Sequence, residues 1–230
     1  RFPKDSLAFL PVLVDVGQGM KAEILEADLE DYPGMYLDLN SSGKGLKGVF
    51  APYPLETKLG GYGNINVIPV KRADYKAKTS GNRSFPWRVV VISRSDKDLL
   101  NCDIVQKLAS PSRIADISWI NPGQVAWDWW NDWNISHVDF RAGINTPTYK
   151  YYIDFASDNK IPYIILDAGW TNETDLTVPI PEVDLKELVA YGKQKNVGLI
   201  LWASWYSVTQ QKAKAFPFFE SLGIKGLKID

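Results

Sequence analysis

The sequence predicts a β-sandwich followed by an α/β domain, and three observations carry that expectation. In the N-terminal half, short β-branched and aromatic runs follow one another with turn signals but no helices between them. From residue 125 onward, apolar strand patterns alternate with helical ones. The later strands start at 125, 163, 198 and 226, and are therefore 38, 35 and 28 residues apart. That is room enough for the helical crossovers that parallel strands require.

In the first half, Leu10–Val16, Met20–Leu25, Gly45–Phe50, Ile65–Tyr75 and Trp87–Ser93 read as strands. Turn-forming clusters such as Ser41–Gly45, Gly60–Gly63 and Ser80–Asn82 separate several of them. Strand after strand without helices implies antiparallel sheets packed as a sandwich. Ser95–Leu108 then reads as a short helix. The domains follow: 1–109 as sandwich, 110–123 as linker, and 124–230 as the α/β part.

Val125–Trp130 opens the second half as an apolar strand. Thr146 suits a helix cap and Pro147 the first helical position, with Tyr149, Tyr152, Ile153 and Ala156 at helical spacing behind them. Tyr163–Asp167 is the second strand. Asp184 with Glu187 three residues on forms a capping-box pattern ahead of Leu185, Leu188 and Val189. Gly198–Trp202 is the third strand, Thr209–Leu222 a helix interrupted by Pro217, and Gly226–Asp230 the fourth strand. Four such units suit a doubly wound sheet or the first half of a (β/α)8 barrel. No G-x-G-x-x-G follows the first strand, so the barrel is favoured. Arg1 stands where no methionine precedes it and Asp230 closes an apolar strand, so the chain is expected to be a piece of a longer protein.

Composition narrows the function. The net charge of -1 and the absence of a Lys/Arg-rich run give no reason to expect nucleic acid. No stretch reaches the roughly 20 apolar residues of a membrane helix. Cys102 is the sole cysteine, so no internal disulfide and no zinc–cysteine site can form. Nine Trp, eleven Tyr and nine Phe suit either a large core or flat faces on which sugar rings stack.

Chemistry-bearing residues gather at the carboxyl ends of the later strands, where barrel enzymes place their sites. They are Asp128 and Trp130 after the first strand, Asp167 and Trp170 at the second, Trp202 at the third, and Lys228 with Asp230 on the fourth. Glycosidic cleavage needs one carboxylate to attack or activate water and one carboxylic acid to protonate the leaving oxygen. Asp128, Asp167 and Asp230 are candidates, with Trp130 and Trp170 as apolar walls. Strand alternation puts Lys228 and Asp230 on one face, where the ammonium group favours the ionised carboxylate. A buried structural ion pair is the competing reading of those two residues.

The strings Ala126–Ile135, Ala142–Thr146 with Tyr149–Ala156, Leu166–Trp170 and Gly223–Asp230 resemble glycoside hydrolase family 97, as does Glu26–Met35 in the first half. Together they span most of the chain. The resemblance implies a β-sandwich packed on a (β/α)8 barrel, acting on α-glucosides or α-galactosides with a calcium ion in the site. It also implies a periplasmic or otherwise exported enzyme with an oligosaccharide or glycoside as its partner. In the family's retaining branch, as in the related α-galactosidase families 27 and 36, the Asp of a Lys-x-Asp string ending strand four is the nucleophile. Asp230 fits that position, Lys228 fits the sugar-binding lysine, and Asp167 is similar to the second-strand Asp that holds sugar hydroxyls. Glu26 is similar to the family's N-terminal calcium ligand, one of about six to eight oxygens such an ion takes. The family's acid/base Glu and its other calcium ligands lie beyond the strand-four Asp, so this chain on its own is expected not to turn over.

The leading expectation is thus a retaining α-galactosidase. An α-glucosidase of the same family, a non-catalytic carbohydrate-binding protein and a Schiff-base aldolase using Lys228 are the alternatives.

Overall fold

The computed structural model describes residues 6–230. The chain divides into two units: one comprises the chain up to Thr57 together with Pro69–Asp116, the other Lys58–Ile68 together with Ile117–Asp230. Residues 58–68 belong to the second unit although the sequence places them in the first half of the chain.

The first unit is built of antiparallel pairings. Strand β1 (Ala8–Phe9), β4 (Tyr36–Leu39) and β5 (Leu46–Val49) form one sheet in the order β1-β4-β5. Strand β2 (Val12–Gly17), β3 (Met20–Ala27) and β8 (Trp87–Ser93) form another, in the order β2-β3-β8. Between them in sequence, β6 (Pro54–Gly60) and β7 (Asn66–Arg72) pair as a ribbon whose tip carries Tyr62. Three of these strands escape sequence reading for local reasons. Strand β1 is two residues long, β4 is four, and β6 starts on Pro54 and carries Glu56 and Lys58, which break its apolar pattern. The expected helix over 95–108 is two helices, α1 (Asp96–Leu100) and α2 (Ile104–Leu108), because Asn101 closes the first by returning its N–H to Lys97.

The second unit is a four-stranded parallel sheet of β9 (Val125–Trp127), β10 (Tyr163–Leu166), β11 (Gly198–Ala203) and β12 (Gly226–Ile229), ordered in space as in sequence. Helices α3 (Thr146–Asp158), α4 (Leu185–Lys195) and α5 (Trp205–Leu222) connect them. Strand β9 is shorter than its apolar run suggests, since Asp128–Asn131 turns into a 3-10 helix. The core lies between sheet and helices: Ile164, Leu166, Leu199 and Leu201 from the strands meet Tyr149, Ile153, Leu188 and Phe219 from the helices. Fully burying a side chain of this size contributes about 1.5–3 kcal/mol, which is what ties each helix to the sheet.

Helix starts follow the side chains that can accept a free backbone N–H. Asn145, not Thr146, caps α3 by accepting from Thr148 N–H at 3.0 Å. Thr146 instead donates its hydroxyl to the Glu182 carbonyl and accepts from Asp184 N–H, fastening α3 to the start of α4. Asp184 caps α4 through Glu187 N–H at 2.9 Å, as the capping pattern suggests. Ser204 caps α5 through Ser207 N–H, so that helix begins at Trp205, four residues ahead of the expected Thr209, and runs through Pro217. No helix among the described residues is long and apolar enough to cross a membrane.

Candidate active site

The carboxyl ends of the parallel strands open onto a cavity of about 470 Å³ lined by Tyr62, Trp127, Trp129, Asp167, Ala168, Trp202, Lys228 and Asp230. Its organising group is the Lys228 ammonium. Nζ lies 2.9 Å from Asp230 Oδ2 and 3.1 Å from Asp167 Oδ2, and sits over the rings of Trp127 and Trp202 at 5.2 and 6.0 Å from their centroids. Lysine and aspartate thus share one face of β12, as strand alternation requires, and face the aspartate of β10 across it.

Each of the two carboxylates also accepts an indole N–H from the strand before it. Trp127 Nε1 donates to Asp167 Oδ2 at 2.5 Å, and Trp202 Nε1 to Asp230 Oδ2 at 2.9 Å. The register makes the two pairs equivalent. Trp127 lies opposite Ile165 and Trp202 opposite Lys228, so each indole reaches the residue two places beyond its partner. Trp129 stacks on Trp127 with ring centroids 5.5 Å apart and extends the aromatic wall. The strand ends are further tied together where the Asp230 carbonyl accepts from Trp205 N–H at the head of α5.

The electrostatics favour an ionised Asp230. Its carboxyl is held below the ordinary carboxylate range by the Trp202 hydrogen bond first and the Lys228 hydrogen bond second, against a smaller opposing effect of burial. For Lys228, burial works against the charge, but the hydrogen bonds to Asp230 and Asp167 outweigh it and raise its pKa. Asp230 and Lys228 are therefore charged together at neutral pH.

Asp128 and Trp170, expected at the substrate, are fully buried and lie outside the cavity lining. Asp128 accepts from Trp129 N–H at 2.7 Å, from Trp133 Nε1 at 2.7 Å and from Asp167 N–H at 3.2 Å. Burial pushes its pKa up to about 6, partly offset by those hydrogen bonds. Asp128 is thus a support beneath Asp167. Trp170 packs edge-on against Phe219 and donates Nε1 to the Trp202 carbonyl at 2.8 Å, so it is a core residue that steadies β11. Trp130 is 80% exposed and also lies outside the lining, while its neighbours Trp127 and Trp129 form the wall. Of Trp127, Trp129, Trp202 and Tyr62, which line the cavity, the sequence singles out only Trp202, as a strand-end residue, and gives none of the four a role in the site. The signal for two of them was present in the register, since a Trp lies diagonal to each strand-end Asp.

Glu173, in the loop after β10, accepts from both the N–H and the hydroxyl of Ser204 through Oε2. Its Oε1 is buried and accepts no hydrogen bond among the described residues.

Glu26 lies in the first unit on β3. Its carboxylate accepts from Met35 N–H at 3.0 Å and pairs with Arg88 Nη1 at 2.9 Å. Among the described residues no group of three or more His, Cys, Asp or Glu side chains is arranged to hold a metal ion. By themselves these donors do not fit calcium, which takes about six to eight oxygens.

Comparison with known proteins identifies the setting. Residues 129–230 match the family model described as Glycoside hydrolase 97, and residues 2–111 match the model described as Glycosyl-hydrolase 97 N-terminal. A protein of Bacteroides thetaiotaomicron named retaining alpha-galactosidase is 47% identical over 229 residues, covering 99% of this chain and 35% of that protein. A probable retaining alpha-galactosidase of Streptomyces bingchenggensis is 30% identical over 68% of this chain and 25% of its own length. Among solved structures, a family 97 enzyme of Pseudoalteromonas sp. strain K8 in complex with acarbose matches with a TM-score of 0.71 and 25% identity, over 97% of this chain and 34% of that one. The chain spans about a third of the length of the first of these relatives. It belongs to glycoside hydrolase family 97.

Proposed function

We propose that this chain supplies the nucleophile and the sugar-binding floor of a retaining α-galactosidase, on the first half of a (β/α)8 barrel. The barrel reading is supported by strand order: β9 to β12 lie side by side in sequence order, whereas a doubly wound sheet reverses at its switch point. The observation that carries the function is the Lys228 ammonium held between Asp167 and Asp230 at the open ends of the strands.

Asp230, kept ionised by Trp202 and Lys228, attacks the anomeric carbon. Lys228 holds Asp230 in place and offers its remaining donor capacity to a sugar hydroxyl. Asp167, 3% exposed and anchored from behind by Asp128, accepts from the hydroxyls of the same sugar. Trp127, Trp129 and Tyr62 present ring faces to it. A carboxylic general acid completes the pair needed for cleavage.

In the protein carrying this sequence, Asp230→Gly should lower hydrolysis of an aryl α-galactoside by roughly a thousandfold or more. Added azide should then restore turnover and give a β-galactosyl azide. Activity retained in that variant would remove Asp230 from the mechanism. An α-glucosidase is the second reading, favoured by the family 97 neighbour solved with acarbose. The ratio of kcat/KM for aryl α-galactoside and aryl α-glucoside separates the two.

A further inference from the structure

Asp230's two carboxylate oxygens are in different environments. Oδ2 accepts both the Trp202 indole N–H and the Lys228 ammonium, each at 2.9 Å. Oδ1 accepts no hydrogen bond from any described residue, although the side chain is 58% exposed beside the cavity. Two donors on one oxygen fix the plane of the carboxylate and draw charge toward that oxygen, while the other keeps its lone pairs free for a reacting carbon. Trp202 is itself only 5% exposed, and its carbonyl receives the Trp170 indole, so the ring has little room to turn. The donor is therefore set before any ligand arrives.

We propose that Trp202 is the positioning residue for Asp230, holding Oδ2 so that Oδ1 is the oxygen that bonds to the anomeric carbon. This rests on the reading of Asp230 as nucleophile and goes beyond it, by assigning the two oxygens separate tasks and giving the fixing task to a neutral side chain on the neighbouring strand. In the step itself, a lone pair on Oδ1 forms the new carbon–oxygen bond as the bond from the anomeric carbon to the aglycone oxygen breaks. The bonding electrons leave with the aglycone oxygen, which takes a proton from the carboxylic general acid, or departs unprotonated when the aglycone is dinitrophenolate. Through the step Oδ2 keeps both donors and becomes the carbonyl oxygen of the ester. When water later cleaves the ester, the same two donors stabilise the charge returning to the carboxylate.

Among the described residues the charged group in contact with Asp230 is Lys228; Asp167 lies on the other side of that ammonium, and Glu173 is held on Ser204, next to the Trp205 N–H that bonds the Asp230 carbonyl. None of them is altered by a change at Trp202. The Trp202 hydrogen bond is also the largest influence holding the Asp230 carboxyl below its ordinary range, so its loss is read directly in the acid limb of the pH profile.

The experiment uses the protein carrying this sequence with dinitrophenyl α-galactoside as substrate, and follows kcat/KM against pH for Trp202→Phe and Trp127→Phe. Trp202→Phe should lower kcat/KM roughly ten- to a hundredfold, mainly in kcat, and move the acid limb to higher pH by about half a unit or more. Trp127→Phe, which frees Asp167 instead, should act mainly on KM and leave the acid limb in place. If Trp202→Phe does not fold, 3-benzothienylalanine at position 202 keeps the bicyclic shape and deletes only the N–H, and the same shift is expected. An acid limb that stays put, or moves equally in both variants, overturns the positioning role. Should Asp230→Gly remain active, the nucleophile reading itself fails. If Asp230→Gly is inactive and rescued by azide while Trp202→Phe leaves the acid limb unmoved, only the role of Trp202 fails.

Discussion

The β9–β10 half of the parallel sheet and the β11–β12 half carry the same device for different purposes. In each, a Trp donates its indole N–H to an Asp on the next strand, two places beyond the residue it pairs with. What lies behind the Asp differs. Asp167 is nearly buried, its own N–H rests on Asp128, and its Oδ1 accepts from Ala168 N–H. Asp230 stands at the rim, and its Oδ1 accepts no hydrogen bond from any described residue. A carboxylate packed on all sides is suited to hold hydroxyls in fixed directions, and one with a free oxygen is suited to react. Lys228 is the only cation that touches both among the described residues.

Removing that cation breaks the comparison most severely. Lys228→Met leaves two carboxylates converging on a volume without positive charge, and takes a donor from each. Kcat/KM on an aryl α-galactoside should fall roughly a hundred- to a thousandfold, with KM raised as well as kcat lowered. A loss under tenfold would mean that the two halves work independently.

The support beneath the first half gives the next largest effect. Asp128 has a carboxyl raised to about 6 by burial, above its ordinary value of 3.8. A carboxyl group raised on folding binds its proton more tightly in the native state, so the stability it adds is fully present below the unfolded value. That stability is lost as pH rises through about 6, and amounts to about 3 kcal/mol at most. Chemical denaturation of the protein between pH 4 and pH 7 should show this downward component, and Asp128→Asn should remove it. A slope unchanged in the variant would place the titrating group elsewhere.

The same contrast explains what the sequence made legible. The strand spacing, the capping pattern at Asp184 and the alternation that pairs Lys228 with Asp230 are local facts, and all are realised. Burial at a strand end is not local. Asp128 and Asp167 both follow an apolar run that ends in Trp or Leu, yet Asp128 turns inward because Asp128–Asn131 leaves the strand as a 3-10 helix and brings Trp133 onto its carboxylate. Trp127 and Trp202 became visible as donors only with the register, because an indole N–H finds its acceptor across strands. Tyr62 depended on the ribbon of β6 and β7, whose charged pattern hid one of its two strands.

Trp130 is where the sequence and the structure disagree most simply, and its removal should have the smallest effect. The run Trp127-Asp128-Trp129-Trp130 offered no local reason to prefer one indole over another. In the structure Trp127 is anchored by its bond to Asp167 and Trp129 stacks on it, whereas Trp130 lies tilted to Trp127 at 6.1 Å with four-fifths of its surface exposed. Truncating an exposed ring that no hydrogen bond from a described residue holds removes little packing, so Trp130→Ala should change stability by about 0.5 kcal/mol or less. KM for an aryl α-galactoside should change less than roughly twofold, because the ring is not among those that line the cavity with Trp127 and Trp129. Trp129→Ala should raise the same KM several-fold, since it removes the outer face of the stacked pair. A larger effect at Trp130 than at Trp129 would reverse the assignment of the aromatic wall and restore the one the sequence alone suggests.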